Sequence, residues 1–287
     1  TPYMPLEEEV IKDSPKHFGY NFFTLRDSVS FWENLPTPAN YLLGSGDELV
    51  ISLWGETQLR ETYIISRDGE IYDNTVGLLN LTGKTMDGAK GYLEDQFGRI
   101  YSTLKGKNAA TYMDVSLGKL RSINVNFVGQ LNYPGVYPIH PFSTIITGLI
   151  QAGGVDTTGS LRQIQIKRDG KVLNTMDLYD YFIKGELPAS IQLRDQDIVV
   201  IPTRSSVITI DSAIVRPGIY ESISGESIYD MIQHAGGPTH DAAGTVGLWR
   251  MKSKGERNNG IIYEGSYVDY TSTRLMPINK GDQIILR

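Results

Sequence analysis

Residues 129–154 read GQLNYPGVYPIHPFSTIITGLIQAGG, and residues 212–237 read SAIVRPGIYESISGESIYDMIQHAGG. A shift of 83 positions lays Pro134-Gly135-Val136-Tyr137 on Pro217-Gly218-Ile219-Tyr220 and Ala152-Gly153-Gly154 on Ala235-Gly236-Gly237. The same shift sets Thr144 on Ser227, Ile145 on Ile228 and Leu149 on Ile232. Such self-similarity at a fixed period is an internal duplication. In each copy a hydroxyl residue placed to cap a helix precedes a short apolar helical face, and a glycine pair ends it.

Outward from these stretches, alternating Ile123, Val125 and Phe127 lead into the first copy, and Ile208 and Ile210 into the second. Each lead-in is a strand that a Pro-Gly turn reverses before the helix. Further strands are expected at residues 164–167 and 198–201, then at 246–249 and 283–286. Several strands wrapped around one helix predict a grasp-like α+β unit. The expected organisation is an N-terminal arm and linker over 1–40, a distinct unit over 41–121, and two β-grasp units over 122–204 and 205–287.

The length of 287 residues with 40% hydrophobic side chains suffices for two or three packed cores. With 27 basic against 33 acidic residues the net charge is −6, and no Lys/Arg run exceeds a pair, which excludes nucleic acid as a partner. The absence of cysteine removes thiol nucleophiles, thiolate metal sites and disulfides together. No run of 18 apolar residues occurs and the N-terminus carries no charged-then-apolar signal, so no transmembrane segment or export address is expected within these residues.

The arm begins with an acidic run at 7–9, passes through the aromatic patch Phe18-Gly19-Tyr20-Asn21-Phe22-Phe23 and ends at Pro36-Thr37-Pro38. Its aromatics are expected to tuck the arm onto its own domain. Beyond it, Leu49, Ile51, Leu53 and Trp54 read as a strand, and Asp68-Gly69 as the turn of a hairpin between 63–66 and 70–72. A helix is expected from Thr85 to Ile100, with Met86, Ala89, Leu93, Phe97 and Ile100 on one face. Thr111, Met113, Val115 and Leu117 alternate as a strand. A Gly-Asp pair precedes an apolar strand at Gly46-Asp47 and Gly281-Asp282, with Gln196-Asp197 as a weaker relative, and reads as a turn that starts a strand.

Candidate chemistry is sparse. The stretch 78–85, ending in Gly83-Lys84-Thr85, lacks the leading glycine of a phosphate loop, because Leu78 stands there, and Thr85 reads as a helix cap. His234, His240 and Asp241 have no counterparts in the first copy, where Gln151 and Thr157 stand, and read as surface residues rather than metal ligands. Asp177, Asp180, Asp195, Asp197 and Asp241 are candidate carboxylates whose facing across a cleft one sequence leaves open, and as loop acids they are expected to be solvated. No nucleophile elbow, zinc-helix motif or dinucleotide fingerprint occurs, so no catalytic residue, metal ligand or cofactor is assigned. Tyr137 and Tyr220 follow both Pro-Gly turns and read as rings packed beneath them in preference to sugar-stacking platforms.

These residues carry a resemblance. Gly44-Ser45-Gly46-Asp47-Glu48-Leu49 with Trp54-Gly55, then Arg67-Asp68-Gly69-Glu70-Ile71, then two copies of the Pro-Gly-φ-Tyr and Ala-Gly-Gly pattern resemble the bacterial outer-membrane polysaccharide export family, the Wza-like proteins. The likeness spans 41–287 and implies a polysaccharide export domain followed by two soluble-ligand-binding β-grasp (SLBB) domains. The stretches 115–123 and Gly159-Ser160-Leu161-Arg162 resemble longer members with further repeats, so a fragment is expected. The motif residues Gly44, Gly46, Asp47, Asp68, Gly69, Gly129, Pro134, Gly135, Tyr137, Gly153, Gly154, Pro217, Gly218, Tyr220, Gly236, Gly237, Gly281 and Asp282 are expected to serve the fold.

The pattern departs from the family in lacking a lipidated cysteine and a C-terminal membrane helix, in Ser212 where the first copy has Gly129, and in Asn74 near a usual proline. Those turns are expected to differ in detail. The resemblance implies a non-catalytic periplasmic component of a capsule or exopolysaccharide channel at the outer membrane. Its implied partners are the polysaccharide, further copies forming a ring in the full-length protein, and an inner-membrane co-polymerase. The alternatives are a carbohydrate-binding or adhesion module acting without ring assembly, and a glycan-processing enzyme.

Overall fold

The computed structural model describes residues 15–24, 37–105, 109–186, 191–257 and 262–287; the acidic run at 7–9 and Pro36 lie outside them. The chain forms two compact units. One holds the described residues from 37 to Ile123 together with Pro138–Ser143, and the other holds 15–24, Asn124–Tyr137 and Thr144–Arg287.

The first unit runs β1 (Glu48–Gly55), β2 (Leu59–Ile64), β3 (Glu70–Asp73), β4 (Gly77–Asn80), α1 (Met86–Gly98) and β5 (Thr111–Leu117). Its three-stranded sheet, ordered β2-β1-β5, is antiparallel throughout. Period-two alternation turns Leu49, Ile51 and Leu53 inward onto Met86, Ala89, Leu93 and Phe97, the apolar face of α1. Thr85 caps that helix by accepting from the Gly88 N–H. Two expectations fail here. Ile100 lies two residues past the helix end and is 51% exposed, because the helix stops before its next inward position. The expected hairpin around Asp68-Gly69 is a tight turn, with the Ser66 N–H on the Glu70 carbonyl, but its flanks join different sheets. The edge of β2 is taken by β1, and β3 pairs with β4 across a loop in which Asp73 accepts from Thr75 and Val76 N–H groups.

The duplicated stretches build two sheets of one design. The first uses β6 (Ile123–Gly129), β7 (Gly135–Ile139), α2 (Ile145–Gln151), β8 (Ile164–Arg168), β9 (Lys171–Met176), α3 (Leu178–Lys184) and β10 (Ile198–Ile201). The second uses β11 (Val207–Ser212), β12 (Gly218–Glu221), α4 (Ile228–His234), β13 (Thr245–Met251), β14 (Tyr263–Asp269) and β15 (Gln283–Leu286). The strand orders β7-β6-β10-β8-β9 and β12-β11-β15-β13-β14 match element for element. In each the first and last strands run parallel, and β8–β9, β11–β12 and β13–β14 are antiparallel, giving a mixed sheet with a short helix, α2 or α4, buried after the Pro-Gly turn. The protein is α+β.

Local chemistry explains the match. Thr144 and Ser227 accept from the N–H groups of Thr147 and Asp230, starting α2 and α4. The glycine pairs then turn left-handed, and Gly154 and Gly237 return their N–H groups to the carbonyls of Leu149 and Ile232. Tyr133 and Arg216 donate backbone N–H to Ala152 and Ala235, tying the Pro-Gly turn to the helix end in both copies. Ser212 takes the same left-handed backbone as Gly129, φ +76 against +96, so this turn does not differ in shape as expected.

The described part of the arm folds onto the repeats, not onto the unit that follows it in sequence. His17 forms a parallel bridge to Ile219 at the free edge of β12, with the Phe18 N–H on the Ile219 carbonyl and the Ile219 N–H on the Lys16 carbonyl, both 2.9 Å. Phe18 stacks on Tyr220 with ring centroids 5.0 Å apart, while Phe23 is buried against Gly154 and the ring of Phe182.

Candidate functional site

Three buried aspartates organise the strand starts. Asp47, Asp197 and Asp282 are each wholly buried. Each accepts, through a carboxylate oxygen at 2.8–2.9 Å, from the backbone N–H three residues before it, at Gly44, Arg194 and Asn279. Each returns its own N–H to that residue's carbonyl. The intervening residue is left-handed in all three: Gly46, Gln196 and Gly281, with φ of +92, +68 and +80. This is a type II turn closed twice, once by backbone and once by side chain.

An arginine then meets each buried carboxylate. Arg168 and Arg250 grip Asp197 and Asp282 through Nε and Nη2, one guanidinium edge, at 2.8–3.2 Å, the fork matching the carboxylate. Arg121 stands 3.7 Å from Asp47, beyond hydrogen-bond reach, and the Tyr41 hydroxyl donates to that carboxylate instead at 2.9 Å. Burial, opposed by those hydrogen bonds and by Arg121, lifts the Asp47 carboxyl above its ordinary value.

The larger cluster lies where the two repeats meet. Glu221, at the end of β12, is 3% exposed and accepts from the Ser160 hydroxyl and from the Leu161 N–H at 2.8 Å, while its own N–H donates to the Tyr179 hydroxyl at 2.7 Å. Arg162 is 6% exposed and bridges the copies: it pairs with Asp177 at 2.9 Å and with Glu226 at 2.7 Å, and donates to the Glu221 carbonyl. His234 closes the ring with Nε2 3.0 Å from Glu226.

Burial pushes the carboxyls of Glu221 and Asp177 up, Arg162 drawing both back in part. Burial presses Glu226 the same way, but hydrogen bonds from His234 and the Ile223 N–H, with Arg162, outweigh it and hold that carboxyl below its ordinary value. Burial also carries the phenol of Tyr220 up to about 12. One buried guanidinium held between two carboxylates and the Glu221 carbonyl is a structural clamp, since removing it leaves those charges unpaired.

The remaining sequence-marked residues separate by environment. Tyr137 and Tyr220 donate their hydroxyls back to the carbonyls of Tyr133 and Arg216, ahead of Pro134-Gly135 and Pro217-Gly218; Tyr220 is buried and Tyr137 half-buried. The Asp68 carbonyl accepts from the Thr82 hydroxyl, and the Gly69 carbonyl from the Leu81 N–H. Asp195 is exposed and bonded to the Asn124 N–H while its neighbour Asp197 is buried, so the two do not share a cleft. Asp180 pairs with Lys184 on the surface. His240 is exposed beside Asp241, apart from His234, and among the described residues no group of three or more acidic, His or Cys side chains is placed to hold a metal.

Sequence reasoning missed Glu221, Glu226 and the clamping role of Arg162. Their counterparts by the repeat shift are Pro138 and Ser143 for the two glutamates, so the signal was an acidic residue present in one copy alone. Among the described residues no helix is long and apolar enough to cross a membrane.

Comparison with known proteins matches this organisation. Residues 35–105 match the family described as polysaccharide biosynthesis/export protein, and residues 125–175 and 207–261 each match the SLBB domain. The chain is 26% identical over 183 residues to the polysialic acid transport protein KpsD of Escherichia coli, covering 63% of this chain and 32% of that protein. It is 25% identical over 245 residues to the EPS I polysaccharide export outer membrane protein EpsA of Ralstonia nicotianae, covering 75% of this chain and 62% of that protein. The matched stretch thus spans about a third of the length of the Escherichia relative. An export-domain match leading two SLBB matches, together with these relatives, supports placing the chain among the polysaccharide export proteins.

Proposed function

We propose that this chain is a non-catalytic component of an outer-membrane polysaccharide export channel, acting in the periplasm, with an export domain over 41–121 and SLBB domains over 122–204 and 205–287. In the full-length protein, copies assemble into a ring around the passing capsule or exopolysaccharide and meet an inner-membrane co-polymerase on the other side. The observation that carries this reading is the joint at Arg162 and Glu221, added to the family match. A clamp of buried ion pairs fixes one repeat against the next, which suits a stave in a closed wall better than a loosely strung adhesin.

Absence of chemistry is supported by the carboxylates: Asp197, Asp177 and Glu226 are held by arginines, and Asp195 stands apart from Asp197 in solvent. The net charge of −6 favours release of an acidic polymer over tight retention. The experiment is deletion and complementation of the full-length gene with measurement of surface polysaccharide, paired with the mass of the complex extracted from the membrane. Loss of surface polymer on deletion and a closed multimer are expected; unchanged polymer, or a monomer, overturns the reading.

A further inference from the structure

The sheet β2-β1-β5 has one face in its core and one face open. On the open face strand pairing sets Trp54 opposite Tyr112, and sets Ser52 between Arg60 and Asp114. Trp54 is 49% exposed and Tyr112 59%, with ring centroids 6.0 Å apart and planes at 25°. Gly55 ends the strand with φ +111, where an added Cβ would meet the Ala110 carbonyl, so the Trp54-Gly55 pair sets where this aromatic stands. The row behind the rings is polar: Asp114 is held by Lys90 at 3.3 Å, Ser52 offers a hydroxyl, and exposed Arg60 has no hydrogen-bond or ion partner among the described residues. Lys90 and Ser116 then border a hollow of about 280 Å³ beside β5.

The chemistry of this face selects its ligand. Pleat spacing puts the polar row about 7 Å from the rings, roughly the span of one sugar ring. Aromatic faces take the C–H face of a pyranose, and an unpaired guanidinium takes a carboxylate in fork geometry. A protein partner would call for a continuous apolar centre, whereas here charged and hydroxyl side chains follow directly on the two rings. We propose that this open face binds an acidic oligosaccharide, with a sugar ring stacked on Trp54 and Tyr112 and its carboxylate on Arg60. The assignment rests on the export reading for its biological meaning and on the face alone for its chemistry.

The test is calorimetric titration of the full chain at low salt with hexagalacturonate, an acidic probe, and with cellohexaose, its neutral counterpart. Saturable binding of hexagalacturonate is expected, weakened about tenfold by Trp54→Ala, the fold-change of a lost stacking contact. Trp54→Phe should retain most of the affinity, and a matching melting temperature shows that the fold is intact. Arg60→Gln should remove the preference for the acidic probe while leaving cellohexaose unchanged. No saturable binding, or binding indifferent to Trp54→Ala, overturns the proposal. So does a wild-type dimer that Trp54→Ala makes monomeric without any glycan binding, which would assign the face to a second copy. Any of these leaves the export reading standing, since that falls only with the deletion and mass measurements above.

Discussion

The two repeats share a strand order, a helix, a capped start and a glycine-paired stop, yet they are not interchangeable. Where the first has Gly129, whose added Cβ would sit 2.1 Å from the Ile201 carbonyl, the second carries Ser212 in the same left-handed backbone. The ladder bond beside it stretches: Gln130 N–H to Ile201 is 2.9 Å, but its counterpart Ala213 N–H to Leu286 is 3.3 Å. The second copy thus keeps the backbone of this turn while one hydrogen bond at the end of the β11–β15 ladder is longer. The joint shows the opposite behaviour, because a head-to-tail contact uses different surfaces of the two copies. Ser160, Leu161 and Arg162 come from one repeat and Glu221, Glu226 and His234 from the other. A duplicated fold therefore repeats its core and cannot repeat its clamp.

The largest test of that asymmetry removes the clamp. Arg162→Ala leaves the partly buried carboxylates of Asp177 and Glu226 without their cation and the Glu221 carbonyl without its donor, and should cost about 3 kcal/mol, read as a fall in the denaturant midpoint. Its counterpart across the strand match, Gly244, makes no ion pair, and Gly244→Ala should cost about 1 kcal/mol, from its left-handed backbone alone. The exchanged turn comes next. Gly129→Ser should cost about 2 kcal/mol from the strained backbone and the approach to Ile201, whereas Ser212→Gly should gain about 1 kcal/mol. If both changes destabilise, the two turns are not equivalent.

The caps differ by less. Ser227 forms a reciprocal box with Asp230 that Thr144 lacks, so Ser227→Ala should cost about 1 kcal/mol and Thr144→Ala less, measured by thermal unfolding.

The smallest effect is one of pH. The Glu221 carboxyl, raised by burial above its ordinary 4.5, binds its proton in the folded state at a pH where the unfolded chain is still ionised. Acidification from neutral toward 4.5 therefore stabilises through this group, and Glu221→Gln should raise the melting temperature most at pH 7 and least near 4.5. Glu226, held below its ordinary 4.5, acts in the other sense: its stabilisation is in place above 4.5 and is lost as pH falls through its lowered value. A gap between wild type and Glu221→Gln that widens on acidification would reverse the assignment.

Local patterns made the repeats readable before any coordinates. The offset carried by Pro134 and Pro217 and by the glycine pairs marked turns and caps, whose geometry is decided within a few residues. Period-two alternation at Leu49, Ile51 and Leu53 marked the strand they occupy. Strand partners were not legible, since Glu70–Asp73 pairs forward with Gly77–Asn80 and not back across Asp68-Gly69. Nor was the pairing of Asp197 with Arg168, 29 residues apart, which depends on adjacent strands that only the folded sheet brings together. Gln196-Asp197 read only as the weaker member of the Gly-Asp family, because a non-glycine holds the left-handed position there.

The bridge between His17 and Ile219 joins the first described segment to a strand about 200 residues further along the chain. A ribosome delivers residues 16–18 long before their partner exists, and closing so long a loop is slow relative to local hairpins. Residues 16–18 thus wait for the edge of β12 to be made, and their docking comes late in folding. Until then Phe18 remains available to whatever escorts the nascent chain.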